Sequence, residues 1–251
     1  MQFMDTHVHL QDFNGRNATE IINSAQKVGV SDFVCISTQE KDWHKVAEIT
    51  QMFPQNIIPA FGIHPWYAES CSDNWDSKLE SFLQKYPTAS VGECGIDRSK
   101  NIALDLQEKI FIKQIELAQN LCRPLIIHAV KAQEQIEKLW HRLPKKTIFH
   151  SFNSSEEFLR QIVEHGFYVG VNFSILRNPK KKLILQNIPL TQLLLETDAP
   201  YQPREKNEET PPTLLPKLAQ EIALIRGDSI ETFVQQVYEN ENFLFKTGEK
   251  K

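Results

Sequence analysis

Leu193-Leu194-Leu195-Glu196-Thr197-Asp198-Ala199-Pro200 is the stretch on which the reading of this chain turns. Three consecutive leucines read as a strand buried on both faces, the pattern of a parallel sheet covered by helices. The run then meets two carboxylates and is stopped by a proline, which has no N–H to continue a ladder. An ionised carboxylate at the end of a buried strand is costly unless a cation or hydrogen-bond donors compensate it. The partners of Asp198 must therefore come from elsewhere in the chain.

Outward from this strand, short apolar runs rich in β-formers alternate with longer amphipathic ones. Strands are expected at 2–8, 32–38, 57–63, 89–93, 124–128, 146–150, 168–172 and 193–197. Helical patterns lie near 17–28, 40–53, 74–86, 102–121, 131–142, 155–165 and 180–187, with two more near 213–226 and 229–243. Ile110, Phe111, Ile115, Ala118 and Leu121 show the helical period. Ser154 reads as an N-cap, with Glu157 at the capping-box position. Eight strands, each followed by a helix, is the count of a closed (β/α)8 TIM barrel, an α/β fold. A doubly wound open sheet is the alternative, but it usually has fewer strands and a Gly-rich first turn, absent here. No Gly- or Ser-rich linker interrupts the chain, so residues 1–251 read as one domain.

The composition, 41% hydrophobic and 24% charged, is that of a globular domain. No apolar run approaches the roughly 20 residues of a membrane span, and the N-terminus lacks a signal pattern. Cys35, Cys71, Cys94 and Cys122 are widely spaced without a C-x-x-C pair, which suits reduced thiols in a cytoplasmic protein. A net charge of -4 argues against a protein coated in positive charge for non-specific nucleic-acid binding, while leaving room for a local basic rim. A monomer is the working expectation.

The first strand carries Asp5-Thr6-His7-Val8-His9. Side chains two apart on a strand share a face, so His7 and His9 reach one point, with Asp5 one layer deeper where it could orient an imidazole. Taken alone, the pair is either two hydrogen-bonded core histidines or two metal ligands. His64, before Pro65, ends the third strand. Glu93 lies between Gly92 and Gly95 in the fourth, as a turn glutamate or a carboxylate shared by two ions. Asp97 follows as a possible loop cap, and Cys94 points away from Glu93 into packing. His128 and His150 end two consecutive apolar strands. With Asp198, the set His7, His9, Glu93, His128, His150 and Asp198 falls at strand C-termini, where barrel enzymes place their chemistry. Nitrogen and carboxylate donors converging there satisfy one another through cations. Arg98, Lys131 and Arg204 follow strand ends on the same face and are candidate phosphate contacts, with solvated surface charge as the plainer reading.

These residues resemble a known family. Asp5-Thr6-His7-Val8-His9-Leu10, Gly62-Ile63-His64-Pro65, Val91-Gly92-Glu93-Cys94-Gly95-Ile96-Asp97, Pro124 to His128, His150-Ser151-Phe152 and Glu196 to Pro200 are similar, in order and spacing, to the TatD family. These are metal-dependent hydrolases of the amidohydrolase superfamily, many described as deoxyribonucleases. The resemblance implies a TIM barrel with two divalent ions (Mg²⁺, Mn²⁺ or Zn²⁺). His7, His9 and Asp198 would hold one ion, His128 and His150 the other, with Glu93 bridging. His64 would meet a substrate phosphate or a bound water. It further implies cleavage of DNA phosphodiesters in the manner of a 3′-end exonuclease, with Glu93 and Asp198 as catalytic groups, Asp198 accepting the proton of the attacking water. Glu196 shares the face of Asp198 one layer down, as a supporting partner. The chain departs from the family at Arg98-Ser99-Lys100, where aromatics and an arginine are usual, at Val130-Lys131, where an arginine is common, at Trp66, often a histidine, and along 207–212. An amidohydrolase acting on a small amide, ester or lactone is the alternative, and an idle barrel using metal to hold a binding surface is a third reading.

Overall fold

The computed structural model describes residues 1–202 and 209–246. Strands and helices alternate along it. They are β1 (Phe3–Val8), α1 (Ala18–Gln26), β2 (Val30–Ile36), α2 (Glu40–Met52), β3 (Ile57–Phe61), α3 (Trp75–Lys85), β4 (Ser90–Asp97), α4 (Leu104–Asn120) and β5 (Leu125–Val130). There follow α5 (Gln133–Glu137), β6 (Thr147–Phe149), α6 (Glu156–Glu164), β7 (Tyr168–Val171), α7 (Lys181–Asn187), β8 (Leu193–Leu195), α8 (Leu215–Arg226) and α9 (Ile230–Phe245).

The eight strands pair in sequence order, every pair parallel. A Val8–Ala199 bridge joins the last to the first. His9 N–H donates to Ala199 O at 2.7 Å and Asp198 N–H to His7 O at 2.9 Å. The (β/α)8 expectation holds.

The leucine run does what its pattern requires. Leu193 and Leu195 pack outward into the core shared with the helices, and Leu194 turns inward with Met4, Val34, Ile36, Ile58, Ala60, Ile126 and Ile148. Leu244 and Phe245 from α9 join that inner cluster, so the last helix plugs the end of the barrel away from the strand C-termini.

Two strands break strict alternation. Asp5 pairs with Phe33 and Val8 with Cys35, so β1 carries one residue more than its partner over that span, a bulge. Phe3 and Val8 consequently both face the helices although an even strand would place them on opposite sides. β4 has a register shift between Val91 and Cys94, and both of these pack outward. It also runs on to Asp97, four residues past its expected end at 93.

Smaller differences are local. The N-cap of α6 is Ser155, not Ser154; its side chain accepts from Phe158 N–H, which puts Phe158 rather than Glu157 at the third helical position, and no capping box forms. The helix expected over 131–142 is α5 followed by a tight turn over Trp140–Arg142, which lays the Trp140 ring against Phe149, Phe158 and Phe167.

Asp5 does not orient an imidazole. Its carboxylate is wholly buried and accepts from Thr197 N–H at 2.9 Å and Thr197 Oγ1 at 2.5 Å, with His7 N–H at 3.4 Å, tying β1 to the segment after β8. Burial outweighs those bonds and lifts its pKa from 3.8 to about 7. The folded state thus holds a proton that the unfolded chain has lost, so this group's contribution is full below about pH 4 and is lost as pH rises through 7. We expect the stability of metal-free wild type relative to Asp5→Asn, measured by urea unfolding, to fall by about 1.4 kcal/mol per pH unit across that window. A pH-independent difference would show that Asp5 is ionised throughout.

Candidate metal centre and active site

The strand ends converge on a cavity of about 390 Å³ lined by His9, His64, Trp66, Glu93, Asp97, His128, His150, Asp198 and Tyr201 among others. Glu93 sits at its base with its two oxygens facing different groups. Oε2 lies 3.2 Å from His7 Nε2. Oε1 lies 2.8 Å from His128 Nδ1, 3.4 Å from His150 Nε2 and 3.6 Å from His64 Nε2. On the His7 side, Asp198 Oδ1 is 3.4 Å from His9 Nε2 and 3.9 Å from His7 Nε2. His7, His9 and Asp198 each offer one donor atom within 4.8 Å of the other two.

Each element contributes through its local geometry. His9 Nδ1 lies 3.1 Å from the Ile36 carbonyl and donates to it, which leaves the Nε2 lone pair aimed at Asp198. Asp198 sits three residues beyond β8 with φ 59°, a left-handed conformation that aspartate tolerates better than most residues and that swings its carboxylate back over β1. Ser151 and Lys131, after β6 and within the turn from β5, are also left-handed, at φ 48° and 53°. Such outliers cost on the order of 1–3 kcal/mol each and gather where a site imposes its geometry.

Of the three histidines near Glu93 Oε1, His128 and His150 are each backed by a second carboxylate. His128 Nε2 lies 3.1 Å from Asp97 Oδ2, and His150 Nδ1 lies 3.0 Å from Glu196 Oε1. Glu196 is itself held by Ser151 N–H at 2.7 Å and by Asn172 Nδ2 at 3.2 Å. Gly170 makes room for it, since a Cβ there would overlap Glu196 Oε2. This imidazole with a carboxylate behind it is the arrangement that orients metal-binding histidines. We expect Glu196→Gln to weaken metal affinity or activity by about 10- to 100-fold, read by calorimetric metal titration. Unchanged affinity would reduce Glu196 to a packing role.

Protonation follows the same layout. Burial alone would lower His150, but the Glu196 and Glu93 carboxylates raise it to about 10. Burial likewise opposes ionisation of Glu93, yet the surrounding His150, His64 and His7 hold its carboxyl well below the usual range. Asp198 is lowered against burial by His9 and the other imidazoles. His7 is lowered by burial and by its cationic neighbour His150, on which it stacks with ring centroids 3.6 Å apart. The carboxylates together favour positive charge in the cavity.

That charge fits metal ions. His7 is wholly buried, its Nδ1 has no hydrogen-bond partner, and its Nε2 meets only carboxylates, Glu93 at 3.2 Å and Asp198 at 3.9 Å, an expensive arrangement for a protein to keep unless a cation sits among them. His64 does not fit a ligand role, although it lies within 4.8 Å of Glu93 and His128. Trp66 N–H donates to His64 Nδ1 at 3.1 Å, so in the neutral ring the proton is on Nε2. Burial lowers this histidine to about 3, which keeps it neutral and leaves Nε2–H as a donor into the cavity.

The other expected contacts are placed differently. Arg98 and Lys131 are exposed and line an adjoining depression of about 420 Å³ with Gln133 and Ser155, outside the histidine cavity. Arg204 lies outside the described residues. Asp97, read from sequence as a loop cap, accepts from Ser99 N–H at 2.7 Å and does form that turn, but it also reaches His128 and Trp66. Its signal was available: Glu93, Gly95 and Asp97 alternate on one face once the strand is allowed to run on.

The family model described as TatD related DNase matches residues 4–246. The chain belongs to the TatD family. An uncharacterized metal-dependent hydrolase of Haemophilus influenzae is 30% identical over 217 residues, 81% of this chain and 83% of that protein. The 3'-5' ssDNA/RNA exonuclease TatD of Erwinia tasmaniensis is 27% identical, covering 92% of this chain and 94% of its own length. The crystal structure of YJJV, a TatD homolog from Escherichia coli K12, matches with TM-score 0.91 and 26% identity over 98% of each chain. TatD membership and the barrel agree with the cavity's position at the strand C-termini.

Proposed function

We propose that this TatD-family chain is a metal-dependent phosphodiesterase that hydrolyses nucleic-acid ends, DNA foremost, with residues 1–251 acting as one cytoplasmic, monomeric catalytic domain. The observation that carries the reading is Glu93, whose Oε2 faces His7 and whose Oε1 faces His128 and His150. One carboxylate thus stands between two sets of donors. His7, His9 and Asp198 would hold one ion, His128 and His150 the other, with Glu93 shared. Four imidazoles suit Zn²⁺ better than Mn²⁺ or Mg²⁺. Ions held there would supply Lewis-acid polarisation of the phosphoryl group and a water acidic enough to ionise near neutral pH.

The chain's own groups do the rest. Asp198, kept ionised beside His9, accepts the proton of the attacking water and passes it to the departing oxygen as the scissile P–O bond breaks. His64 Nε2–H donates to a phosphoryl oxygen as negative charge grows there. Asp97 and Glu196 keep His128 and His150 from rotating. The four cysteines are free of disulfides, and no helix among the described residues is long and apolar enough to cross a membrane, both compatible with this assignment.

The test is turnover by protein loaded with Zn²⁺, Mn²⁺ or Mg²⁺ on single-stranded DNA, short RNA, p-nitrophenyl phosphoesters and a panel of small amides and lactones. Phosphodiester cleavage abolished by chelation and restored by metal is the expected result. Amide or lactone turnover without phosphodiester turnover would replace this reading with that of an amidohydrolase.

A further inference from the structure

The cavity rim carries an aromatic ring that the chemistry above does not use. Trp66 lies just past β3, lines the cavity and is 45% exposed. It is the most exposed of the chain's four tryptophans. It is not a loose surface side chain. Its indole Nε1–H donates to Asp97 Oδ2 at 2.6 Å, and that carboxylate is in turn fixed by Ser99 N–H at 2.7 Å and Ser99 Oγ at 2.6 Å. The ring stands edge-on to His64, with centroids 5.1 Å apart, and 6.4 Å from the His128 ring. Lys100 Nζ lies 4.3 Å from its centroid, over the indole.

These contacts make a built surface. The hydrogen bond to Asp97 holds the ring in one orientation, so a ligand stacking on it pays little further side-chain entropy. The cation shows that the π-system is reachable from solvent, and an ammonium at a partly exposed ring is weakly held and displaceable. The ring adjoins the group of His64, Glu93 and His128 where a phosphodiester would be cut. Every nucleobase has a π-face, and aromatic side chains in single-strand sites use it without regard to sequence.

We propose that Trp66 is the stacking platform for the nucleobase of a nucleotide adjoining the scissile phosphodiester, with Lys100 moving from the ring face to the neighbouring phosphate. The proposal rests on the phosphodiesterase reading and adds a base-binding subsite to it. Trp66 is a specificity-determining residue in this scheme, and no bond is made or broken on it.

The experiment compares the metal-loaded full chain with Trp66→Phe and Trp66→Ala on a single-stranded oligodeoxynucleotide, its ribonucleotide counterpart, and versions in which each of the three terminal residues in turn is abasic. For wild type, KM is expected to rise by about 10- to 100-fold when one of those positions loses its base. Trp66→Ala should cleave base-bearing and abasic substrates with equal KM, while Trp66→Phe keeps most of the discrimination. Loss of the Asp97 hydrogen bond lowers kcat in both variants equally on all substrates, so the KM ratio isolates stacking from damage to the metal centre. Indole emission should also be quenched by the base-bearing oligonucleotide in wild type but not in Trp66→Phe. Equal KM for base-bearing and abasic substrates in wild type, or discrimination that survives Trp66→Ala, overturns the subsite alone. No oligonucleotide turnover by wild type, with hydrolysis of another bond, overturns the phosphodiesterase reading and the subsite together.

Discussion

Glu93→Gln is expected to leave the barrel folded and to lower metal-dependent hydrolysis by about 10³-fold. The substitution keeps the volume of a side chain that is 3% exposed, so packing around β4 is preserved. What it removes is the single charge placed between the two donor sets. An amide offers one acceptor oxygen where the carboxylate offers two, and its N–H₂ group would point at an imidazole nitrogen on one side or the other. His7 Nε2 at 3.2 Å and His128 Nδ1 at 2.8 Å cannot both keep an acceptor opposite them. The ionised carboxylate also helps raise His128 and His150, so both should titrate at lower pH in the metal-free variant, visible in NMR titration of the ring protons. Metal content and kcat/KM measured together decide the matter. A variant that keeps its full metal complement and wild-type turnover would show that Glu93 is a buried ion-pair partner and nothing more.

Asp198→Asn is expected to lower kcat by about 10²- to 10⁴-fold with a smaller change in KM, the signature of a lost proton acceptor. Asparagine is the cleanest replacement because it also accepts the left-handed backbone at φ 59° and leaves the Asp198 N–H bond to the His7 carbonyl in place. The variant keeps an oxygen near His9 but no longer takes up a proton. It should also bind the ion on the His7 and His9 side less tightly, since a neutral oxygen replaces an anionic one. Raising metal concentration would then recover binding without recovering kcat. If saturating metal restores full turnover, Asp198 is a ligand only, and the water's proton goes elsewhere.

Much of this was legible in the sequence because the signals are local and periodic. Leu193 to Leu195 alternates outward, inward, outward, as a strand with two buried faces must. His128, within β5, and His150, just after β6, extend apolar runs whose pleat carries them inward. Glu196 continues the face of Leu194. The six donors named from strand ends therefore do meet, directly or through Glu93, around one centre. The place of Arg98 and Lys131, in the depression beside the histidine cavity, was not legible for the opposite reason. A residue following a strand is on the right face of the barrel, but whether its long side chain turns into the cavity or into the next depression depends on neighbours that no local pattern encodes.

By itself the sequence determined the barrel, the end of it at which histidines and carboxylates gather, and which residues bring nitrogen and oxygen donors there. Hydrophobic period and strand-end chemistry are properties of consecutive residues, so they can be read along the chain. Only the tertiary structure decided how those donors are supported. The bulges in β1 and β4 reset the alternation, sent Asp5 to Thr197 instead of to an imidazole, and let β4 carry Asp97 to His128. The Val8–Ala199 closure set Asp198 against His7 and His9 across nearly the whole length of the chain. Those choices depend on pairing register and on contacts between strands far apart in sequence, where the energy lies between segments and not within them.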